Sequence, residues 1–320
     1  MLTSAQFTLI QLEYIIALDT YRHFVTASEK CFVTQPTLSM QVKKLEESLG
    51  VTIFDRSKQP IVPTDIGEEI IAQARVILRE AKRIDELLQQ YRQETKGQLR
   101  VGIIPTLAPY LLPRFVGNFI RQYPEVQLHI QELQTHDIIR ALQNDSIDVG
   151  LLVSPLKEPG LRVRPVFYEG ILLYLHPRHP LRAQETVALE TIDLEQLWLL
   201  NEGHCFRSQM INLCAPKRQQ VTATQRLSFD YQSNSLETLR RMVDAEGGYT
   251  LLPELATLQT EEALPQVRAF AGEMPLREVS LVTLRDAVKR KLTEALYEAV
   301  RQAVPEYMHP AARGQVVQWA

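Results

Sequence analysis

The sequence predicts an α+β multidomain fold: an all-α front, a long linker helix and two α/β lobes. Three observations support this fold class. Residues up to about 62 carry apolar side chains at helical spacing, and an apolar heptad run follows Thr64. Beyond Gln98, strand-like segments alternate with helical segments, which is typical of βαβ units and a mainly parallel sheet.

Composition restricts the function classes. The 320 residues are 45% hydrophobic and 23% charged, as in an ordinary folded protein of about two domains. No apolar run reaches the roughly 18 residues of a membrane span, and the start lacks a secretory signal profile. Three cysteines are too few for a disulfide framework, so we expect a cytoplasmic protein without a metal or cofactor. A net charge of −3 neither requires nor excludes a nucleic-acid partner.

The front of the chain contains a helix-turn-helix pattern. A short helix over Val25–Lys30 is followed by a turn, and Thr34 can cap a second helix with Pro36 in its first turn. Such a second helix fits a DNA major groove, and the basic loop 54–60 suits a wing that contacts phosphates. The expected DNA-contacting residues are Gln35, Pro36, Thr37, Ser39, Lys43 and Arg56. A plain helical hairpin remains the alternative, because nearby acidic residues offset the basic ones.

The linker helix carries a coiled-coil pattern. Thr64 caps it, and acidic residues in its first turn suit the helix dipole. The apolar residues step by four and three alternately, which predicts dimerisation, although a helix packed on its own domain is the alternative. The seam consists of Ile70, Ala74, Ile77, Ala81, Ile84 and Leu88. The helical pattern ends near Gly97, where we expect a hinge.

The second half contains two alternating blocks. We expect strands near 99–104, 126–133, 149–153, 171–175, 197–200, 227–231, 249–252 and 279–284. Helices are expected over 111–123, 138–144, from about 204, over 236–245 and over 287–304. Two lobes with crossing chains imply a cleft at the carboxyl ends of the strands. The expected domains are 1–63, 64–96 and 97–308, followed by a loose tail over 309–320.

The amino-terminal segments resemble a known signature. Ala27–Glu46, Leu49–Arg56 and Thr64–Gly67 are similar to the start of LysR-type transcriptional regulators. The resemblance implies a winged helix-turn-helix that binds double-stranded operator DNA, a dimerising linker helix and a two-lobed domain of periplasmic-binding-protein type. It also implies a tetramer built as paired dimers and contact with RNA polymerase.

Two cysteines lie nine residues apart in a segment with a helical pattern. Nine helical steps would place the Cα atoms of Cys205 and Cys214 about 13 Å apart and on opposite faces. A disulfide needs Cα atoms within about 7 Å, so joining these cysteines requires the helix to unwind. The pattern places Cys214 on the apolar side. It places Cys205 on the polar side at the helix start, where the dipole favours thiolate. The alternative is that both are small core residues.

The surroundings of the pair carry a second resemblance. Gly203-His204-Cys205, Arg207 and Cys214 are similar to the redox motif of the peroxide-sensing OxyR branch of the LysR-type family. This implies a reversible Cys205–Cys214 disulfide, formed through a sulfenic acid on Cys205, that activates antioxidant genes. The implied peroxide pocket consists of Thr106, Thr135, His204, Arg207 and Arg277. Thr106 would follow the first strand, Thr135 would end the second, and His204 and Arg207 would flank the thiol.

Two departures from the OxyR pattern concern Ser208, which stands where an acid is common, and the longer segment 215–226.

From the two resemblances we expect a hydrogen-peroxide-sensing transcriptional regulator, with Cys31 as a packed residue outside the redox chemistry. One alternative is a metabolite-sensing regulator that binds a small anion through Thr106 and Thr135. Another is a thiol peroxidase, which would leave the helix-turn-helix unexplained. A periplasmic solute-binding protein is disfavoured by the missing signal profile.

Overall fold

The computed structural model describes residues 7–91, 95–156, 158–193, 196–213, 233–258 and 265–318. The chain divides into two compact units, one formed by residues 1–94 and 286–288 and the other by residues 95–285 and 289–320. Within the described part of the chain, the helices are too short or too polar to cross a membrane.

The first unit is a winged helix-turn-helix followed by a long helix. Its elements are α1 (Leu9–Tyr21), α2 (Phe24–Lys30), α3 (Gln35–Leu49), β1 (Phe54–Asp55), β2 (Val62–Pro63) and α4 (Asp65–Tyr91). β1 and β2 pair antiparallel, which makes the loop between them the expected wing. Leu38, Val42 and Leu45 of α3 are fully buried against α1 residues such as Ile15. The predicted fold of this unit is therefore confirmed.

The apolar seam of α4 divides into two parts. Thr64 Oγ1 accepts a hydrogen bond from Gly67 N at 3.1 Å, as expected of a cap. Ala74 is buried in the core of the helix-turn-helix, and Ile70 and Ile77 pack against the same core. In contrast, Ile84 and Leu88 are 63% and 51% exposed. The first half of the seam thus packs on its own domain, and dimerisation through the second half remains a prediction.

The second unit contains the two lobes. Its strands are β3 (Gly97–Ile103), β4 (Val126–Glu132), β5 (Val149–Ser154), β6 (Leu161–Leu175), β7 (Thr186–Val187), β8 (Tyr249–Pro253), β9 (Val267–Phe270), β10 (Met274–Leu284) and β11 (Gly314–Val316). Its helices are α5 (Ala108–Gln122), α6 (Thr135–Gln143), α7 (Cys205–Leu213), α8 (Leu236–Glu246), α9 (Glu254–Thr257) and α10 (Arg290–Gln302). Leu197 and Leu200 form only isolated bridges. The expected strand at 227–231 lies outside the described residues.

The sheet is mixed, which corrects the prediction of a mainly parallel sheet. In the first lobe the strand order is β4-β3-β5-β10-β6, and β3 is parallel to β4 and β5. β10 runs antiparallel to both β5 and β6. The carboxyl-terminal half of β6 continues into the second lobe, where it pairs antiparallel with β8 and β9. The difference arises because β6 follows β5, and β10 follows β9, through short connections without the crossover helix that parallel strands need.

Residues 309–318 are packed, which corrects the expectation of a loose tail. A 3-10 turn over Ala311–Arg313 leads into β11, which pairs parallel with Met274–Leu276 of β10. Arg313 Nη2 donates to Glu254 Oε1 at 2.9 Å and fixes the entry to this strand. We refer to residues 314–318 as the carboxyl-terminal segment. A three-residue strand is too short to produce a periodic pattern, so the sequence gives no sign of it.

Candidate functional site

The candidate DNA-reading surface lies on α3. Thr34 Oγ1 accepts from Thr37 N at 3.4 Å and caps the helix, and Pro36 occupies the first turn, where no N–H is needed. The side chains of Gln35, Pro36 and Lys43 are exposed, whereas those of Thr37 and Ser39 are half-buried. The expected contact residues of α3 therefore lie outside its buried stripe, with Pro36 and Lys43 opposite that stripe, which suits entry into a groove.

The wing is attached to α3 by Glu46, a residue that the sequence analysis missed. Glu46 Oε1 accepts from Ile53 N at 2.8 Å and from Phe54 N at 3.1 Å. Glu46 Oε2 accepts from Arg56 Nη2 at 2.7 Å. The carboxylate thus orients Arg56 and joins the strand of the wing to the recognition helix. In the sequence Glu46 counts only as a charge that offsets nearby lysines, because its backbone partners depend on the turn between helix and wing.

Cys205 is the first residue of α7, but it is not on a solvent-exposed face. Its side chain is only 4% exposed, and Phe206 and Gln209 are fully buried beside it. The carboxyl-terminal segment covers this face: Gln209 Nε2 donates to Val317 O at 3.0 Å, and Asn212 Nδ2 donates to Gln318 O at 2.9 Å. Cys205 lies on the polar side of the helix pattern, yet the structure buries it, and the polar residues Gln209 and Asn212 bond to a distant part of the chain.

The electrostatics of the thiol also differ from expectation. Burial raises the pKa of Cys205 above its usual value, and this effect exceeds the opposing influence of the Arg277 charge, the Thr135 hydroxyl and nearby backbone N–H groups. The expected stabilisation of thiolate by the helix start is thus outweighed by desolvation. The cation that favours the thiolate most is Arg277.

Thr135 and Thr106 place hydroxyl groups near the same point. Thr135 is the first residue of α6, so it follows β4 instead of ending it. Its Oγ1 is buried near Cys205 and has no hydrogen-bond partner at ordinary distance among the described residues. Thr106 lies in the turn after β3, and its Oγ1 accepts from Arg277 Nη1 at 3.1 Å. The structure therefore groups Cys205, Thr106, Thr135 and Arg277.

His204 and Arg207 neighbour Cys205 in the chain, but their side chains bond elsewhere. His204 Nε2 lies 3.0 Å from Asn234 Oδ1, and Arg207 Nη1 donates to Leu200 O at 2.7 Å. These contacts anchor the start of α7 to the second lobe. Cys214 lies outside the described residues, as does the segment 215–226.

Glu169 is the second residue that sequence analysis missed. It is fully buried in β6, and its Oε1 accepts from Arg277 Nε at 2.8 Å. A single acid among the apolar and aromatic residues of 166–175 is a usable signal for a buried ion pair, although the sequence does not identify the partner. Cys31 packs against the first unit's core, where burial and Glu13 raise the pKa of its thiol. Within the described ranges, no cluster of His, Cys, Asp or Glu could hold a metal ion.

A Gly314→Ala substitution tests whether the carboxyl-terminal segment protects Cys205. A Cβ at this position would lie 2.1 Å from Met274 O, a backbone atom, so β11 must move away from β10. Such overpacking costs about 1–3 kcal/mol. We expect roughly tenfold faster alkylation of Cys205 in the reduced protein, followed by mass spectrometry.

The matched control for this variant is Gly117→Ala, because a Cβ at Gly117 meets only Arg121 Nη1 at 3.6 Å. Its alkylation rate should equal that of the wild type. Equal rates in both variants would show that the segment does not protect the thiol.

Comparison with known proteins assigns both units. Residues 9–68 match the family described as bacterial regulatory helix-turn-helix protein, lysR family, and residues 92–305 match the LysR substrate binding domain. A hydrogen peroxide-inducible genes activator from Haemophilus influenzae is 34% identical over 92% of this chain and 96% of its own length. The DNA-binding transcriptional dual regulator OxyR from Escherichia coli is 35% identical, over 91% and 93% of the two chains.

Solved structures agree with this assignment. A full-length OxyR variant from Pseudomonas aeruginosa superposes with a TM-score of 0.76 at 34% identity, over 92% of this chain and 97% of that chain. An H2O2-bound OxyR mutant from Corynebacterium glutamicum gives a TM-score of 0.57 at 28% identity, over 92% of each chain. The winged helix-turn-helix, the two-lobed unit and these similarities lead to one conclusion: the chain belongs to the LysR family of bacterial transcriptional regulators.

Proposed function

We propose that this chain is a hydrogen-peroxide-sensing, sequence-specific DNA-binding activator of antioxidant genes. The observation that carries the proposal is the buried Cys205 thiol at the head of α7, close to the Thr135 hydroxyl and the Arg277 guanidinium. The similarity to regulators named hydrogen peroxide-inducible genes activators supports it. The exposed polar residues of α3 would read the operator, and the activity would take place in the cytoplasm.

The chemistry begins with the reaction of the thiol with peroxide. The Thr135 hydroxyl, which interacts with the Cys205 thiol, can hydrogen-bond the oxidant, and Arg277 stabilises negative charge as the thiol loses its proton. The sulfur attacks one peroxide oxygen, the O–O bond breaks, and the departing hydroxide takes up the proton to become water. The thiol is oxidised to a sulfenic acid and the peroxide is reduced. The Cys214 thiol then attacks this sulfur, and a second water leaves as the disulfide forms.

Disulfide formation would act as a switch because α7 holds Cys205 a helix length away from Leu213, the residue before Cys214. The helix runs unbroken from Cys205 to Leu213, immediately before Cys214. Bringing the sulfurs together requires this helix to unwind and to lose its contacts with Val317 and Gln318. We propose that this rearrangement alters the spacing of paired DNA-binding domains and the bend of the operator. The active assembly would be a dimer of dimers that contacts RNA polymerase.

The geometry offers less support for the sensing of a small anion. An anion would need free donors in the cleft, but the Arg277 guanidinium is engaged by Glu169 on one edge and by Thr106 on the other. Thr135 contributes one hydroxyl, which suits a small neutral oxidant. A signalling role also accounts for the helix-turn-helix, which a thiol peroxidase would leave unexplained.

Mass spectrometry of the peptide that contains residues 204–217 tests the proposed chemistry directly. After a brief peroxide pulse, we expect a Cys205–Cys214 disulfide that a thiol reductant reverses. Cys31 should remain an unoxidised thiol after the pulse, because burial raises its pKa and no redox partner is assigned to it. Free thiols at both positions after the pulse, or a disulfide that involves Cys31, would exclude this mechanism.

A further inference from the structure

The buried carboxylate in β6 has no role in the chemistry described above. We propose that Glu169 is a positioning residue that holds the Arg277 guanidinium beside Cys205, an inference that rests on the proposed sensing role of that thiol.

Glu169 and Arg277 face each other across neighbouring strands. They are directly paired in the antiparallel register of β6 and β10, and both side chains are fully buried. Glu169 Oε1 lies 2.8 Å from Arg277 Nε and 2.8 Å from Arg277 Nη2. Because the strands fix both backbones, the carboxylate determines where this edge of the guanidinium lies.

A second edge of the guanidinium, which shares Nη2 with the first edge, contacts the turn after β3. Arg277 Nη1 donates to Thr106 Oγ1, and Nη2 donates to Thr106 O, each at 3.1 Å. The guanidinium carbon also lies 5.1 Å from the ring centre of Phe206, the residue next to Cys205. A planar guanidinium that is held at both edges cannot rotate, so its charge stays beside the thiol.

The second oxygen of Glu169 makes the carboxylate hard to replace. Glu169 Oε2 accepts from Leu255 N at 3.0 Å, so the two oxygens serve two different donors. A glutamine has one accepting oxygen and one donating NH2 group, and cannot accept at both points. In Glu169→Gln, either the guanidinium or the Leu255 amide would therefore lie unpaired in a buried site.

Other charged groups near Arg277 have their own partners. Glu254 Oε2 accepts from Gly170 N at 2.8 Å, and the same carboxylate binds Arg313. Tyr110, whose hydroxyl donates to Glu237 Oε1 at 2.9 Å, lies close enough to feel the Arg277 charge. Burial raises the pKa of Glu169, while Arg277 and the Leu255 N–H oppose this effect. Glu169 is thus the acid that acts on Arg277 directly.

The experiment measures the pH dependence of Cys205 alkylation by iodoacetamide in the reduced full-length protein, followed by mass spectrometry. In Glu169→Gln the guanidinium loses its fixed position and stabilises the thiolate less. We expect the midpoint of the alkylation profile to move upward by about one pH unit. At any pH well below both midpoints, the variant would then contain about tenfold less thiolate than the wild type. A midpoint equal to or below that of the wild type would overturn the proposal, because Arg277 would then keep its place without Glu169.

Asp148→Asn is the matched control. Asp148 is also an ion-paired acid of the second unit, with 13% of its side chain exposed, and its Oδ1 accepts from Arg100 Nη2 at 2.7 Å. The Asp148→Asn substitution should leave the midpoint of Cys205 alkylation unchanged. If the shift in Glu169→Gln came only from a general disturbance of the second unit, Asp148→Asn would show a similar shift. Glu169→Asp provides a second test if the glutamine variant does not fold: it keeps the charge and should show a smaller upward shift, and no shift would overturn the proposal.

The peroxide reaction of wild-type Cys205, measured in parallel, separates this inference from the proposed function. If peroxide leaves wild-type Cys205 unoxidised, the proposed function fails, but the two midpoints can still be compared. If Cys205 is oxidised while the Glu169→Gln and Asp148→Asn midpoints coincide, only the positioning role is lost.

Discussion

A Cys205→Ser variant will bind operator DNA as tightly as the wild type and will not respond to peroxide. A serine hydroxyl fits the buried site of the thiol without leaving a large cavity, but peroxide does not oxidise it under these conditions. The proposed DNA-reading residues belong to the other compact unit, so their fold should be unaffected. Operator binding by gel shift and a peroxide-induced reporter gene check the two halves of this prediction.

Cys31→Ser is the control for that experiment. Cys31 packs against the core of the first unit and has no assigned redox partner. This variant should retain full peroxide induction. If Cys205→Ser cells were induced normally by peroxide, the signal would have to enter the protein elsewhere, and the proposed function would be wrong.

Arg277→Met should destabilise the second unit strongly. The substitution removes the charge partner of Glu169, which is fully buried, and leaves an uncompensated carboxylate. Removing one partner of a buried ion pair costs about 3–5 kcal/mol of the free energy of unfolding. Urea unfolding monitored by circular dichroism should show a clearly lower midpoint concentration. Arg164→Met, which removes the exposed partner of Glu294, should cost no more than about 1 kcal/mol.

The pH dependence of the Arg277→Met penalty identifies its cause. Burial raises the pKa of Glu169, so its protonated form is the one that the folded variant tolerates. The variant should come closest to wild-type stability below the unfolded pKa of about 4.3, and should lose stability as the pH rises above it. Combining Arg277→Met with Glu169→Gln removes both charges and should recover part of the loss. A pH-independent penalty would point to lost packing instead.

The local features of the fold could be predicted from the sequence. The helix-turn-helix follows from the spacing of Leu38, Val42 and Leu45 and from the Thr34 cap, because these signals depend on neighbours within one or two helical turns. The alternation of strands and helices locates most elements of the two lobes for the same reason. The grouping of Thr106 and Arg277 with Cys205 came from family resemblance, because the residues lie far apart in the chain.

The remaining features depend on contacts between distant segments. The helical pattern of α7 marks Gln209 and Asn212 as polar, but it cannot show that Val317 and Gln318 cover them. For this reason the sequence did not reveal the burial of Cys205, and the expected stabilisation of the thiolate was wrong because burial raises the pKa of the thiol. The role of Glu169 was hidden in the same way, because the acid and Arg277 meet only when β6 and β10 pair.

The burial of Cys205 has a consequence for which molecules can oxidise it. Cys205 is only 4% exposed, and the carboxyl-terminal segment holds the helix that Cys205 begins through Gln209 and Asn212. A reagent therefore reaches the thiol only when these neighbours move apart. Hydrogen peroxide is little larger than water and needs a smaller movement than iodoacetamide or an alkyl hydroperoxide. The sensor would thus discriminate among oxidants by molecular size.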